Sequence, residues 1–210
     1  MPRTSWCARG CHTLNSAGEI VCSKYKESCN LYLCIYISPN TPGSSVGTRQ
    51  SIETMKITLP RDTMFDTDLK RYVHILSIPH FRGVMMRDEL SNNPLNEECG
   101  ILNLNTHNES GSHWICWYKN RNDRYFFDSF GESPPIELLK YLKTQSEYQN
   151  NLPVIRRSAI TVQHYYSNEC GSLCLYMLKK LTNGVSFPKI LIELAERFNK
   201  LSSPPLTINI

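Results

Sequence analysis

Gln163-His-Tyr-Tyr-Ser-Asn-Glu-Cys170-Gly171-Ser-Leu-Cys-Leu-Tyr-Met-Leu-Lys-Lys180 runs from a loop straight into a helix. Asn168 and Glu169 are loop and cap types. Leu173, Leu175, Tyr176, Met177, Leu178 and Leu181 then make a segment apolar on most sides, the mark of a buried helix. Cys170 is expected in its first turn, where free backbone N–H groups and the macrodipole stabilise negative charge. A thiol so placed has a lowered pKa and a larger thiolate fraction. Gly171 is expected to leave room beside the sulfur for a substrate backbone. The alternative for a lone cysteine is an inert buried thiol, because free cysteine is among the most buried residue types.

Working outward, the aromatic-rich runs Ser112–Tyr118 and Arg124–Ser129 flank the polar turn Lys119-Asn-Arg-Asn-Asp123. High β-propensity on both sides of such a turn predicts a hairpin. His113 opens its first strand and Asp128 closes its second, so antiparallel pairing makes them neighbours. A cysteine nucleophile needs a base within reach and a third group to orient that base. His113 and Asp128 fit those roles. Gln163 lies seven residues before Cys170, and its amide can donate to a developing oxyanion together with the Cys170 N–H. His164 is the rival base, His107 reads as a solvent-exposed loop residue, and Cys174 and Cys116 read as core thiols.

The remaining elements follow from periodicity and punctuation. Asp66 to Leu76 reads as a capped amphipathic helix, ended by Ile78-Pro-His-Phe-Arg-Gly83. Val84–Leu90 reads as a connection and Asn92-Asn-Pro94 as a turn. Gly100–Asn105 predicts a strand. Ser133-Pro134-Pro135 predicts a helix start, with Ile136, Leu138, Leu139 and Leu142 as its apolar face. Val154–Val162 predicts a third strand after the hairpin. Pro188–Lys200 predicts a final helix with Ile190, Leu191, Leu194 and Phe198 as its stripe. Helices enclosing a strand block imply an α+β domain with a central mixed or antiparallel sheet.

The 210 residues carry a net charge of only +4, too little for a strong nucleic-acid footprint. Arg156-Arg157 and Lys179-Lys180 read as solvated faces. Five of nine cysteines (Cys7, Cys11, Cys22, Cys29, Cys34) fall in the first 34 residues. No signal peptide is expected before them, and the apolar run Leu31–Ile37 is too short to span a bilayer. An odd cysteine count then favours free thiols in a reducing, intracellular setting. Zinc held by Cys7, Cys11, His12 and Cys22 is an alternative, although the spacing matches no standard pattern. Ser38-Pro-Asn-Thr-Pro-Gly-Ser-Ser-Val-Gly-Thr48 reads as a linker. The expected organisation is a poorly ordered extension and linker over 1–50, a domain over 51–203, and a tail over 204–210.

Gly-Ser-His113-Trp114, Tyr-Phe-Phe-Asp128-Ser-Phe-Gly131, Gln163 and Cys170-Gly171 together resemble the adenovirus maturation protease (adenain) family, which is related to the SUMO proteases. Asp68-Leu-Lys-Arg-Tyr-Val73 and Phe81-Arg-Gly-Val84 resemble that family's amino-terminal helix and the segment after it. The likeness covers about residues 60–200. Asp128 stands where adenovirus enzymes have Glu, as in the SUMO-protease branch and in proteases of Polinton/Maverick elements, and residues 1–55 match nothing in the family. The resemblance implies a cysteine endopeptidase with a His113, Asp128, Cys170 triad and Gln163 at the oxyanion. It also places Trp114 near the catalytic histidine and in contact with substrate. It implies capsid-precursor-like protein substrates, a monomer acting away from membranes, and residence in the virion or host nucleus. No cofactor is expected for the chemistry, while an activating peptide or DNA is implied by the family. A SUMO- or ubiquitin-type isopeptidase and a silent DNA- or protein-binding module on the same fold are the competing readings.

Overall fold

The structure, a computed structural model, describes residues 11–14, 20–22, 55–91, 93–121, 123–142, 155–200 and 202–210. The chain divides into two compact units, Met1–Ser51 and Ile52–Ile210. In the first, β1 (Cys11–Leu14) pairs antiparallel with β2 (Ile20–Cys22), with Cys11 opposite Cys22. The linker, the disorder expected of the extension and the zinc alternative rest otherwise on residues and side chains outside those described.

The second unit is α+β. Its five-stranded sheet has the order β4 (Phe81–Met86), β5 (Glu98–Asn103), β6 (Trp114–Lys119), β7 (Arg124–Phe127), β8 (Ile155–Arg157). β6 pairs antiparallel with both β5 and β7, and the two outer strands run parallel to their neighbours. The sheet is therefore mixed. β6 and β7 form the expected hairpin, with Cys116 opposite Phe127 and Lys119 opposite Arg124. β5 is buried along its whole length, so it shows no clean alternation. Gly100 lets the Trp117 ring lie over the strand, since a Cβ there would sit 2.1 Å from that ring.

Helix α1 (Asp66–Ile75) begins where the Asp68 carboxylate accepts the Phe65 N–H at 3.2 Å, and it buries Leu69 and Val73. Helix α3 (Cys170–Thr182) lies between α1, β6 and α4 (Phe187–Phe198). It buries Gly171 through Leu178 and Leu181, as an all-round apolar sequence requires. Lys179 and Lys180 fall in its last turn, where the macrodipole favours cations. Leu138, Tyr141 and Leu142 of α2 (Ile136–Leu142) cover the smaller core on the opposite face of the sheet, against Trp117 and Phe126.

Several expectations change. Val84–Leu90 is not a mere connection, because Phe81–Met86 is edge strand β4, bulged between Phe81 and Val84. The strand after the hairpin is three residues long, not nine. Helix α2 starts at Ile136, which is exposed and leaves the apolar face to Leu138, Tyr141 and Leu142. Arg197 takes the buried place expected of Phe198 on α4. The segment 204–210, expected as a tail, contributes β9 (Thr207–Asn209), which pairs antiparallel with β3 (Lys56–Thr58). Leu206 and Ile208 are buried in the main core, so the C-terminal residues are part of the domain.

Candidate active site

His113 sits one residue before β6 and Asp128 one residue after β7, so the hairpin itself brings them together. The His113 Nε2 lies 2.9 Å from Asp128 Oδ1, with the side chains 12% and 1% exposed. Asp128 is held from several sides. Its Oδ1 also accepts the Phe130 N–H at 2.8 Å. Its own N–H donates to Ser158 Oγ at 3.0 Å, and the Ser158 hydroxyl donates back to the Asp128 carbonyl at 2.8 Å. The Phe130 ring lies over the imidazole, centroids 5.0 Å apart.

With Nε2 committed to Asp128, the other ring nitrogen is left for Cys170, with which His113 shares a hydrogen bond. Burial alone would depress the His113 pKa. The hydrogen bonds to Asp128 and Cys170 outweigh it and raise the imidazole to about 9. Burial likewise pushes the Cys170 thiol up, but the His113 bond overcomes it, with help from the backbone N–H groups of Trp114 and Gly171. The thiol ends below its ordinary value. The two shifts have one physical meaning: a proton on the imidazole and a negative charge on the sulfur stabilise each other.

Helix α3, which begins with Cys170, is pinned at its first turn. Ser172 Oγ donates to the Pro60 carbonyl at 2.6 Å, and Trp114 Nε1 donates to the Met64 carbonyl at 2.8 Å. Gly171 packs here: a Cβ on it would meet Met64 Cβ and Leu69 Cδ2 at 3.1 Å. The room expected beside Gly171 for substrate is thus filled by α1 and the segment before it. Gly171 serves close helix packing, and its N–H, not its missing side chain, faces the sulfur. Glu169 is also not the side-chain cap its type suggested. Its carboxylate turns to Arg197, 2.5 Å away on α4, and to Arg61 at 3.3 Å.

Gln163 is 3% exposed, with its amide held at both ends. Ser129 Oγ donates to its Oε1, and its Nε2 donates to the Ser167 carbonyl, each at 2.7 Å. Cys170, His113, Gln163 and Trp114 share one groove of about 820 Å³ with Phe65, Met86, Tyr165 and His107. His164 turns away, stacking on Phe198 at 4.5 Å, and so is no rival base. Cys174 and Cys116 are fully buried free thiols of the core. His107 lies at the groove rim, paired with Asp88 at 2.6 Å.

Three contributors escaped the sequence reading. Ser129 and Ser158 are small polar residues whose role appears only through their partners. Asn103, buried at the end of β5, accepts the N–H groups of Asn105 and Ser112 and so shapes the loop entering His113. The Asp-Ser-Phe-Gly run was the one available signal for Ser129.

The protease of bovine adenovirus 2 is 32% identical over 118 residues, covering 49% of this chain and 51% of that protein. The chain is similar to adenovirus proteases. A second, the protease of human adenovirus A serotype 12, is 30% identical over 125 residues, covering 51% and 54%. The chain thus spans about half the length of the curated relatives it matches. No family model matches it. Among solved structures, the ASFV protease aligns over 65% of this chain and 64% of its own at 16% identity, TM-score 0.39. The SUMO protease Ulp1, its catalytic cysteine oxidised to a sulfinic acid, aligns over 65% and 75% at 14% identity, TM-score 0.40. Structural likenesses this distant carry no functional weight.

Proposed function

We propose that this chain is a cysteine endopeptidase of the viral maturation type, with His113, Asp128 and Cys170 as its triad and Gln163 at the oxyanion. The observation that carries the reading is the buried His113–Asp128 pair, 2.9 Å apart, sharing one groove with Cys170 and Gln163, and the opposed pKa shifts of His113 and Cys170 agree with it. The Cys170 thiolate attacks a substrate carbonyl carbon, forming a C–S bond as the carbonyl electron pair moves onto oxygen. The second Nε2 proton of Gln163 and the Cys170 N–H receive that charge. His113 gives its proton to the leaving amine as the C–N bond breaks. Water, deprotonated by His113, then attacks the thioester, and the C–S bond breaks to restore the thiolate. Asp128 holds the ring and favours its protonated form throughout.

Protein substrates and a virion or host-cell setting are part of the same proposal, supported by the two adenovirus relatives. Activation by a peptide or DNA, and a monomeric state, are carried by the sequence resemblance alone. No helix among the described residues is long and apolar enough to cross a membrane. The test is alkylation by iodoacetamide near pH 6.5, followed residue by residue by mass spectrometry, beside cleavage of quenched fluorescent peptides. Cys170 is expected to outpace Cys99, Cys116 and Cys174 and to react faster than free cysteine. A Cys170 no faster than free cysteine removes the peptidase reading. Cleavage of a ubiquitin-like isopeptide conjugate, with no cleavage of linear peptides, would select the isopeptidase instead.

A further inference from the structure

Ser129 follows the triad acid directly, is 1% exposed, and is not among the residues lining the groove. Its carbonyl accepts the Val162 N–H at 2.8 Å, and its hydroxyl donates to Gln163 Oε1 at 2.7 Å. A glutamine amide has two faces of nearly equal shape, and only its hydrogen bonds decide which atom points where. The Ser167 carbonyl can only accept, so it selects Nε2. Oε1 is then turned toward Ser129, whose rotatable hydroxyl supplies the donor a buried amide oxygen requires. With both ends committed, one Nε2 proton is left, and the amide cannot turn to place Oε1 against a negatively charged oxygen.

We infer that Ser129 is the positioning residue of the oxyanion site, acting through Gln163 and linking its orientation to the Asp128 backbone. This rests on the peptidase reading above and adds to it the part that sets the amide. Asp128 and Ser129 are consecutive, so one short segment at the end of β7 orients both the base and the oxyanion donor. Preorganised donors contribute because they need no reorientation when charge develops.

The experiment is a double-mutant cycle on the full chain, with a quenched fluorescent peptide substrate. Ser129→Ala is expected to lower kcat about 10- to 100-fold, less than the 10²–10³ typical of removing a donor outright, with KM little changed. In a Gln163→Ala background the same change is expected to add less than about twofold, because the residue through which it acts is gone. A merely structural role would multiply the two losses. Iodoacetamide alkylation of Cys170 in Ser129→Ala is expected to keep its native pH dependence, since the His113–Cys170 pair is untouched. If Ser129→Ala does not fold, Ser129→Cys keeps the volume with a weaker donor and is expected to show a smaller loss of the same kind. An unchanged kcat, or losses that multiply with those of Gln163→Ala, overturns the inference while fast alkylation leaves the peptidase reading standing. A native Cys170 that alkylates no faster than free cysteine overturns both.

Discussion

Two His–Asp pairs border the same groove. His113 and Asp128 are 2.9 Å apart at 12% and 1% exposure; His107 and Asp88 are 2.6 Å apart at 60% and 29%. The shorter contact is the weaker device. Around His107, water solvates both partners in either protonation state, and such exposed pairs contribute little. The His107 bond holds the Asp88 carboxyl below its usual range. Around His113, the acid is enclosed, fixed by Phe130 and Ser158, and the second ring nitrogen meets a thiol. Burial and a third partner, more than distance, turn an ion pair into a candidate catalytic one.

The sharpest way to break the comparison is to remove each member of the buried set. Cys170→Ala and His113→Ala are each expected to abolish peptide hydrolysis while the cooperative thermal transition persists. Retained activity in His113→Ala would move the base elsewhere. Asp128→Asn keeps the shape but loses the charge and favours the wrong tautomer. The serine-protease template loses about 10⁴ for that change. Here the thiol is already acidified, so turnover is expected to fall by roughly 10- to 10³-fold; an unchanged kcat would remove Asp128 from the site.

Titration sharpens the same contrast. Below about 9 the His113 imidazole holds its proton, and above its lowered pKa Cys170 is a thiolate. Activity is therefore expected to rise on an acid limb as Cys170 ionises below its ordinary range, and to fall on an alkaline limb near pH 9 as the general acid is lost. In Asp128→Asn the alkaline limb should move to lower pH, because a bond that raises the imidazole is gone. The sign for stability is the same: a raised histidine contributes fully below its ordinary 6.5 and loses that contribution as pH rises through about 9. An alkaline limb unmoved by Asp128→Asn in a pH–rate series would contradict the geometry. The smallest effect is expected at the exposed pair, where His107→Ala should leave kcat within about twofold.

The parts legible in advance were local. The β6–β7 hairpin could be read because its strands and turn are contiguous, and it made His113 and Asp128 neighbours without any other element. Helices α1 and α4 carried most of their burial in their periodicity, and α3 carried its in an apolar sequence on nearly all sides. Strand β4 was missed because Phe-Arg-Gly-Val-Met-Met has no alternation, and its partner β5 arrives parallel after the excursion over residues 87–97. β9 was missed because its partner lies near residue 57, and a three-residue strand has no signal of its own.

At the site, residue types and order alone singled out Cys170, His113 and Asp128 as the candidate nucleophile, base and acid. The chemistry demands those types, and short-range structure sets their separation. Tertiary structure decided the rest. Gly171 became a packing contact because α1 approaches α3 there, and Glu169 became an ion-pair partner because α4 presents Arg197. Gln163 acquired its orientation from Ser129 and Ser167, on the two chain segments that flank it. None of these could be read locally, because what a side chain does depends on which distant segment fills the space beside it, and only the packed core settles that.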